Sequence, residues 1–270
     1  MTLAVSLKIN DGLVLASDSA ATLGSSQGIT HVYNNANKIL NLHKGLPIGV
    51  ATWGKASIGS YSIELILKDL RKKLCKELDF NSYSIKDVAD RLKKYVFDEN
   101  YKKVPGHESN QHGIGFFVCG YGAGENKPEE YLIEITGGQC NEPELIRDTE
   151  KIGITWRGEG EALNRLLMGY RTDMPYMLKR SFELDEEKIE NLMKQIRPGA
   201  HDALITPAMP LQDAIDLAKF LVNTARNFSY FSAGAPSVGG PVEVAAITRH
   251  EGFKWVDRKH YFSNKLNPDF

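Results

Sequence analysis

Residues 2–38 read TLAVSLKINDGLVLASDSAATLGSSQGITHVYNNANK, and this stretch sets the expectations for the rest of the chain. Apolar residues alternate from Leu3 to Ile9, which predicts a strand with one buried face. The run Asn10-Asp11-Gly12 tolerates positive φ and therefore predicts a tight hairpin turn. Residues 13–16 form the returning strand, so we expect Asp18 to lie beside the start of the first strand.

Three residues of this stretch supply the groups of a nucleophilic site. A threonine hydroxyl is a weak nucleophile until a base removes its proton, and an N-terminal threonine carries a base in its own α-amine. Only Met1 precedes Thr2, so methionine removal would expose that amine. A nearby lysine favours the neutral amine, and a carboxylate holds the lysine in place. We predict Thr2 as the nucleophile, with Lys38 and Asp18 as its charged support.

Composition and charge exclude several classes of protein. The 270 residues are 42% hydrophobic and 25% charged, which is ordinary for a globular chain. The net charge of −1 predicts no nucleic acid and no anionic membrane as partner. Three scattered cysteines fit neither a disulfide framework nor a zinc site, and the histidines lie outside zinc spacing, so we predict no metal and no cofactor. Neither a leader nor a long apolar run is evident, which predicts a cytoplasmic protein.

The remaining elements predict an α+β fold. Residues 19–37 are polar and predict a surface loop, after which Lys38 begins a second hairpin over residues 38–42 and 48–52. Leucines and isoleucines at helical spacing predict a helix over residues 63–78, and Ser84 caps a second helix. Helices in blocks between antiparallel hairpins favour a layered fold. We expect a single domain over residues 1–270, with an extra helical segment near residues 172–207.

Motifs at both ends of the chain resemble one family. The opening Thr2-X-X-Val5, the run DGLVLASDSAAT from Asp11 to Thr22, and Lys38-Ile39 are similar to the start of the proteasome β-type subunits and their bacterial relatives, which are N-terminal nucleophile hydrolases. The segment GGPVEVAAITRHEG, from Gly239 to Gly252, resembles a later motif of that family. This resemblance implies a four-layer α-β-β-α sandwich.

The same resemblance implies a function and further site residues. It implies cleavage of peptide or amide bonds through an acyl-enzyme on Thr2, with an oxyanion-binding backbone amide near Ala51 and Thr52. Thr22 corresponds to a position that pairs with the substrate backbone, so an extended peptide would bind as an added strand. Where the family has an assisting serine, this chain has Glu159. The implied partners are a peptide or protein substrate, a homo-oligomeric ring of copies of the chain, and an ATPase unfoldase.

Two alternatives stay open. One is a non-proteolytic amidase or transpeptidase of the same fold, in which an amine replaces water at deacylation. The other is a catalytically inactive structural subunit of a proteasome-like assembly. Glu159 bears on this choice, because a carboxylate beside the Thr2 amine would raise the pKa of that amine and leave less of it free as a base.

Overall fold

The first hairpin forms where the alternating pattern predicts it. The computed structural model describes residues 2–25, 28–106, 113–200, 204–234 and 236–259. Strands β1 (Leu3–Ile9) and β2 (Gly12–Ser17) pair antiparallel, with Ile9 opposite Gly12 across a two-residue turn. Every residue of both strands is buried, so the expected half-buried strand is covered on both faces.

Hairpins and helices then alternate in blocks along the chain. The later strands are β3 (Ala21–Ser25), β4 (Gly28–Tyr33), β5 (Ile39–Asn41), β6 (Ile48–Gly54), β7 (Ser57–Ile58), β8 (Tyr61–Ser62), β9 (Ile114–Gly120), β10 (Glu129–Thr136), β11 (Gln139–Cys140), β12 (Glu144–Arg147), β13 (Gly153–Gly158), β14 (Glu243–Thr248) and β15 (Gly252–Asp257). The helices are α1 (Ile63–Glu77), α2 (Ile85–Lys93), α3 (Glu161–Met168), α4 (Met174–Phe182), α5 (Glu186–Ala200) and α6 (Leu211–Phe231).

Serine hydroxyls cap the N-termini of the first two helices. Ser62 accepts a hydrogen bond from the Leu65 amide at 3.2 Å, and Ser84 accepts one from the Asp87 amide at 3.1 Å. Each satisfies a backbone donor that has no carbonyl partner in the first helical turn. The predicted cap at Ser84 is confirmed.

Two antiparallel sheets hold most of the strands. The first has the order β13-β1-β2-β14-β15, and the second has the order β11-β10-β9-β6-β5 with β12 paired to β10. The predicted second hairpin, now β5 and β6, is therefore an edge of the second sheet. Because β1 and β2 occupy the middle of the first sheet, the hairpin that carries Thr2 and Asp18 is fixed from both sides.

Apolar side chains fill three regions around these sheets. One cluster lies between the two sheets and includes Leu15, Phe117 and Ile247. A second joins the outer face of the first sheet to α3 and α6, and a third joins the second sheet to α1 and α2. The site residues at the ends of β1, β2 and β5 are therefore held by packing on several sides.

The expected four-layer α-β-β-α sandwich is wrong as a description of this chain. The structure is mainly antiparallel β-sheet with several helices, and the helices do not reduce to two layers. Helix α4 buries no residue and packs mainly against α5, which itself contacts α3. The hairpins β3–β4 and β7–β8 are separate from both sheets. Helical periodicity predicts that a helix exists, but not which surface it covers.

The segments between the sheets also depart from expectation. The polar stretch of residues 19–37 is not only loop, because it contains the β3–β4 hairpin. Helices α4 and α5 fall within the extra segment near residues 172–207, of which residues 201–203 lie outside the described ranges. Over the described ranges, every helix is too short or too polar to cross a membrane.

Candidate active site

Asp18 is the centre of the site. Its carboxylate lies at the end of β2 and is fully buried. Oδ1 accepts hydrogen bonds from the Leu3 amide at 3.0 Å and from Nζ of Lys38 at 2.6 Å. Oδ2 accepts from the amides of Ala20 and Gly239, each at 3.0 Å. Four donors converge on this one buried carboxylate and fix its position.

Lys38 reaches this carboxylate from the other sheet. It directly precedes β5, and its carbonyl accepts the Thr52 amide at 2.9 Å, which extends the pairing of β5 with β6. Its side chain is 6% exposed. Burial lowers the pKa of the Lys38 ammonium, and the adjacent Asp18 carboxylate opposes that change without cancelling it.

Thr2 directly precedes β1 and is almost completely buried. Its carbonyl accepts the Glu159 amide at 2.8 Å. The preceding Gly158 has a φ of +92°, and a Cβ at that position would lie 1.8 Å from the Thr2 carbonyl oxygen. Only glycine permits this close approach, so the loop after β13 holds the main chain of Thr2. Glu159 is half-buried and makes this contact through its backbone.

The predicted substrate-binding residues lie on two different hairpins. Ala51 is inside the β5–β6 pairing, opposite Ile39, and the Thr52 amide is occupied by the Lys38 carbonyl. Thr22 lies on β3, opposite Val32 of β4. The Oγ1 atoms of Thr22 and Thr52 are buried and, within the described part of the chain, have no hydrogen-bond partner. Buried hydroxyls are usually satisfied, so these two are candidates for contact with a ligand.

A second buried ion pair beside the first was not predicted from the sequence. Nζ of Lys259 lies 2.7 Å from Oε2 of Glu243, and Glu243 is 1% exposed. One signal pointed to it: Glu243 belongs to the run VEVAAIT, whose residues are otherwise apolar or small. A carboxylate in a buried strand requires a counter-charge. Among the described residues, no group of three or more His, Cys, Asp and Glu side chains is placed to hold a metal ion.

Comparison with solved structures shows similarity to Anbu proteins. A Gly-1 mutant of Anbu from Hyphomicrobium sp. strain MC1 matches with a TM-score of 0.53 and 14% identity, covering 96% of this chain and 86% of that one. The helical assembly of the Anbu complex from Pseudomonas aeruginosa matches with a TM-score of 0.53 and 17% identity, covering 98% and 90%. Anbu (ancestral beta-subunit) from Yersinia bercovieri has 12% identity over 96% and 88% of the chains, and its TM-score of 0.48 is too low to support a fold assignment.

No family model and no curated protein matches the chain. At identities of 14% and 17%, the two similar structures define the class of fold alone. The resemblance to the proteasome β-type subunits is therefore wrong as a family assignment, because the structural neighbours are Anbu proteins, a proteasome-like but distinct family. Short motifs around the first hairpin did not distinguish the two groups.

Proposed function

We propose that the chain is a threonine-type N-terminal nucleophile hydrolase that acts in the cytoplasm and cleaves amide bonds through an acyl-enzyme on Thr2. One observation carries this proposal. The buried Asp18 carboxylate binds both the Leu3 amide and the Lys38 ammonium through the same oxygen. A single group therefore ties the lysine to the residue that follows the nucleophile.

The proposed reaction uses the N-terminal amine of Thr2 as its base. The amine takes the hydroxyl proton while Oγ1 bonds to the substrate carbonyl carbon. The amide C–N bond then breaks, and the leaving amine receives the proton. Water hydrolyses the resulting ester and restores the hydroxyl. Met1, whose removal this reaction requires, lies outside the described residues.

Lys38 supports this chemistry through its charge. A positive charge near the amine and the hydroxyl lowers the pKa of both groups, which favours the neutral amine and the attacking oxygen. Burial lowers the pKa of Lys38 itself, so its ammonium depends on Asp18 to remain charged. The Glu159 carboxylate is the candidate hydrogen-bond acceptor for the Thr2 amine, because the Glu159 backbone amide already donates to the Thr2 carbonyl.

The backbone of β6 suggests where the oxyanion binds. The Thr52 amide already donates to the Lys38 carbonyl, so a negative charge developing on the substrate oxygen would have to compete with that carbonyl for it. Amides two residues apart on a strand face the same edge, and the next one on this edge belongs to Gly54, which is exposed. We propose the Gly54 amide as the oxyanion donor, with the Thr22 and Thr52 hydroxyls as substrate contacts. An extended peptide would pair with the side of β3 opposite β4.

We also propose that the chain forms a homo-oligomer. The Anbu complex from Pseudomonas aeruginosa is described as a helical assembly. In this chain, α4 exposes Tyr176 and Phe182, and the end of α6 exposes Tyr230 and Phe231. Such apolar surface is typical of a protein interface. Negative-stain electron microscopy would distinguish a closed ring from a helical assembly. A mass measured by light scattering that equals one protomer would contradict both.

Mass spectrometry tests the proposed nucleophile directly. We expect the purified chain to lack Met1, and a β-lactone or epoxyketone probe to label Thr2. The Thr2→Ala variant should retain its fold and lose labelling. Retained Met1, or unchanged hydrolysis by Thr2→Ala, would remove Thr2 from the reaction.

Probe labelling combined with assays of amide cleavage and acyl transfer separates the alternatives. A chain that is labelled at Thr2 but cleaves only small amides would be an amidase, and transfer of the acyl group to an added amine would identify a transpeptidase. Absence of labelling in a chain without Met1 would favour an inactive structural subunit.

A further inference from the structure

Lys259 connects three segments that surround the candidate site. It follows β15 by two residues, and its side chain is 10% exposed. Nζ donates to Oγ of Ser19 at 2.7 Å and to the carbonyl of Ala36 at 2.9 Å. It also lies 2.7 Å from Oε2 of Glu243. Nζ therefore makes two hydrogen bonds and one ion pair, the last with a carboxylate oxygen that has no hydrogen-bond partner among the described residues.

Both hydrogen-bond acceptors of Lys259 belong to the segments that carry the site residues. Ser19 directly follows Asp18, and Ala36 is two residues before Lys38. The two segments also contact each other, because the Ala36 amide donates to the Ser19 carbonyl at 2.9 Å. Lys259 therefore spans the junction between the end of β2 and the approach to β5.

The hydroxyl of Ser19 shows which group is the donor. Its single proton is given to the Pro241 carbonyl at 2.6 Å, so its oxygen is free to accept. Only a donor such as an ammonium can complete this arrangement. Glu243, the ion-pair partner of Lys259, lies opposite Ser17 in the pairing of β14 with β2, one residue from Asp18.

We propose that Lys259 is a positioning residue of the Thr2 site, which holds the Asp18 and Lys38 segments together and balances the buried charge of Glu243. This inference rests on the proposed function. Among the described residues, the polar partners of Lys259 are Ser19, Ala36 and Glu243 and not Thr2, so Lys259 acts on the reaction through the placement and charge of its neighbours.

The charges in this region explain how Lys259 would influence Lys38. Within the described ranges, the charged groups that act on the pKa of Lys38 are Asp18, Lys259 and Glu243. The positive charge of Lys259 lowers the pKa of Lys38, whereas the carboxylates of Asp18 and Glu243 raise it.

Lys259 has its own set of charged neighbours. Glu243, Asp18 and Glu64 face it and raise its pKa, and burial lowers that pKa by more. Removing the Lys259 charge should therefore raise the pKa of Lys38 and loosen the junction that holds it.

The test compares Lys259→Met, Lys259→Arg and the matched control Lys254→Met. Met keeps the length of the side chain without its charge, and Lys254 is an exposed lysine on β15. The rate of Thr2 labelling by a β-lactone is measured as a function of pH. We expect Lys259→Met to label about tenfold more slowly, with its pH midpoint moved upward, because small misplacements of site groups slow reactions strongly. Lys259→Arg should recover most of the rate, and Lys254→Met should equal the wild type.

A double variant covers the case in which Lys259→Met fails to fold. Lys259→Met combined with Glu243→Gln removes both charges, so no uncompensated buried carboxylate remains. This double variant should fold and still label slowly, because Ser19 and Ala36 have lost their donor. A wild-type rate and pH profile in a folded Lys259→Met or in the double variant would overturn the inference.

A second readout separates this inference from the proposed function. The pKa of Lys38 is measured by NMR of labelled lysine side chains in the wild type and in Lys259→Met. We expect an upward shift in the variant, whether or not Thr2 reacts with the probe. An unchanged Lys38 pKa would overturn the positioning role, whereas an unlabelled wild type would overturn only the proposed function.

Discussion

Oδ1 of Asp18 lies 2.6 Å from Nζ of Lys38, and both side chains are almost completely withdrawn from solvent. The two residues come from different sheets, so their contact joins the first hairpin to β5. Removing water from two charges costs free energy, which their attraction offsets only while both partners remain. The pair therefore makes the geometry of the site sensitive to loss of either charge.

The first prediction concerns Asp18. We expect Asp18→Ala to lower the free energy of unfolding by about 3–5 kcal/mol, because it leaves the buried Lys38 ammonium without its counter-charge. Asp18→Asn should cost less, since its amide oxygen still accepts a hydrogen bond. Urea unfolding gives both values. The control is Asp69→Ala, which removes an exposed partner of Lys72 and should change stability by less than about 0.5 kcal/mol. Equal effects at the two positions would contradict the prediction.

The second prediction concerns Lys8, a buried lysine on β1. Burial lowers the pKa of Lys8 to about 8, and its Nζ donates to the Asp148 carbonyl. The pKa of Lys8 is thus lower in the folded chain than in the unfolded chain. The neutral amine therefore stabilises the fold at high pH, and this stabilisation is lost as the pH falls from the ordinary lysine pKa of 10.5 to the lowered one of about 8. The free energy of unfolding should rise by about 2 kcal/mol between about pH 7.5 and about pH 9.5, relative to the same change in Lys8→Met. Parallel curves for the two proteins would refute this account.

The third prediction concerns His43, which follows β5. The residue is 2% exposed, and its Nδ1 accepts the Gly45 amide at 3.1 Å. Burial lowers the pKa of the imidazole, so the neutral form stabilises the fold and that stability is lost as the pH falls from the ordinary value through the lowered one. Wild-type stability should therefore decline in mild acid more steeply than that of His43→Asn, as chemical denaturation at a series of pH values would show. A steeper decline in the variant would reverse the assignment.

The fourth prediction uses two glycines with positive φ. A Cβ at Gly158 meets the Thr2 carbonyl oxygen at 1.8 Å, whereas one at Gly124 meets nothing within 4 Å. Gly124→Ala therefore reports backbone strain alone, which is about 1 kcal/mol. Gly158→Ala should lower stability further and reduce probe labelling of Thr2, because Thr2 has to move. Similar losses in the two variants would show that the close approach is unimportant.

The fifth prediction concerns the hydroxyl of Thr52. Its Oγ1 is buried and lacks a partner among the residues described, so Thr52→Val should leave stability unchanged or raise it by up to about 1 kcal/mol. If the hydroxyl binds substrate, KM should rise in the same variant. Thr155→Val is the control, since that hydroxyl accepts from Arg147 at 2.5 Å and its loss should destabilise the chain. An unchanged KM would remove Thr52 from the proposed substrate contacts.

The hairpin that carries the candidate site was predictable, because short-range patterns determine it. The alternation from Leu3 to Ile9 and the turn at residues 10–12 predicted a hairpin, and the pairing of that hairpin returns Asp18 to the Leu3 amide. Charge chemistry nominated Lys38 as its partner. These inferences hold because strand periodicity and turn propensity depend on a few neighbouring residues.

Other features depend on contacts that no local pattern encodes. The sequence predicted an extra helical segment near residues 172–207, but not that α4 and α5 within it pack on each other. The family motifs did not reveal that the Thr52 amide is occupied by the Lys38 carbonyl. Both facts follow from which surfaces meet, and amphipathic patterns identify a buried face without identifying what covers it.

The sequence alone determined the first hairpin and nominated Thr2, Asp18 and Lys38, since residue type and spacing set which groups are present and which strands turn back. The tertiary structure alone decided that Lys259 lies against Ser19, 240 positions earlier in the chain. It also decided that the Asp18 carboxylate accepts hydrogen bonds from three backbone amides in addition to the one from Lys38. Such contacts form only when packed sheets exclude water, because a buried charge then needs whichever partners the fold places within reach.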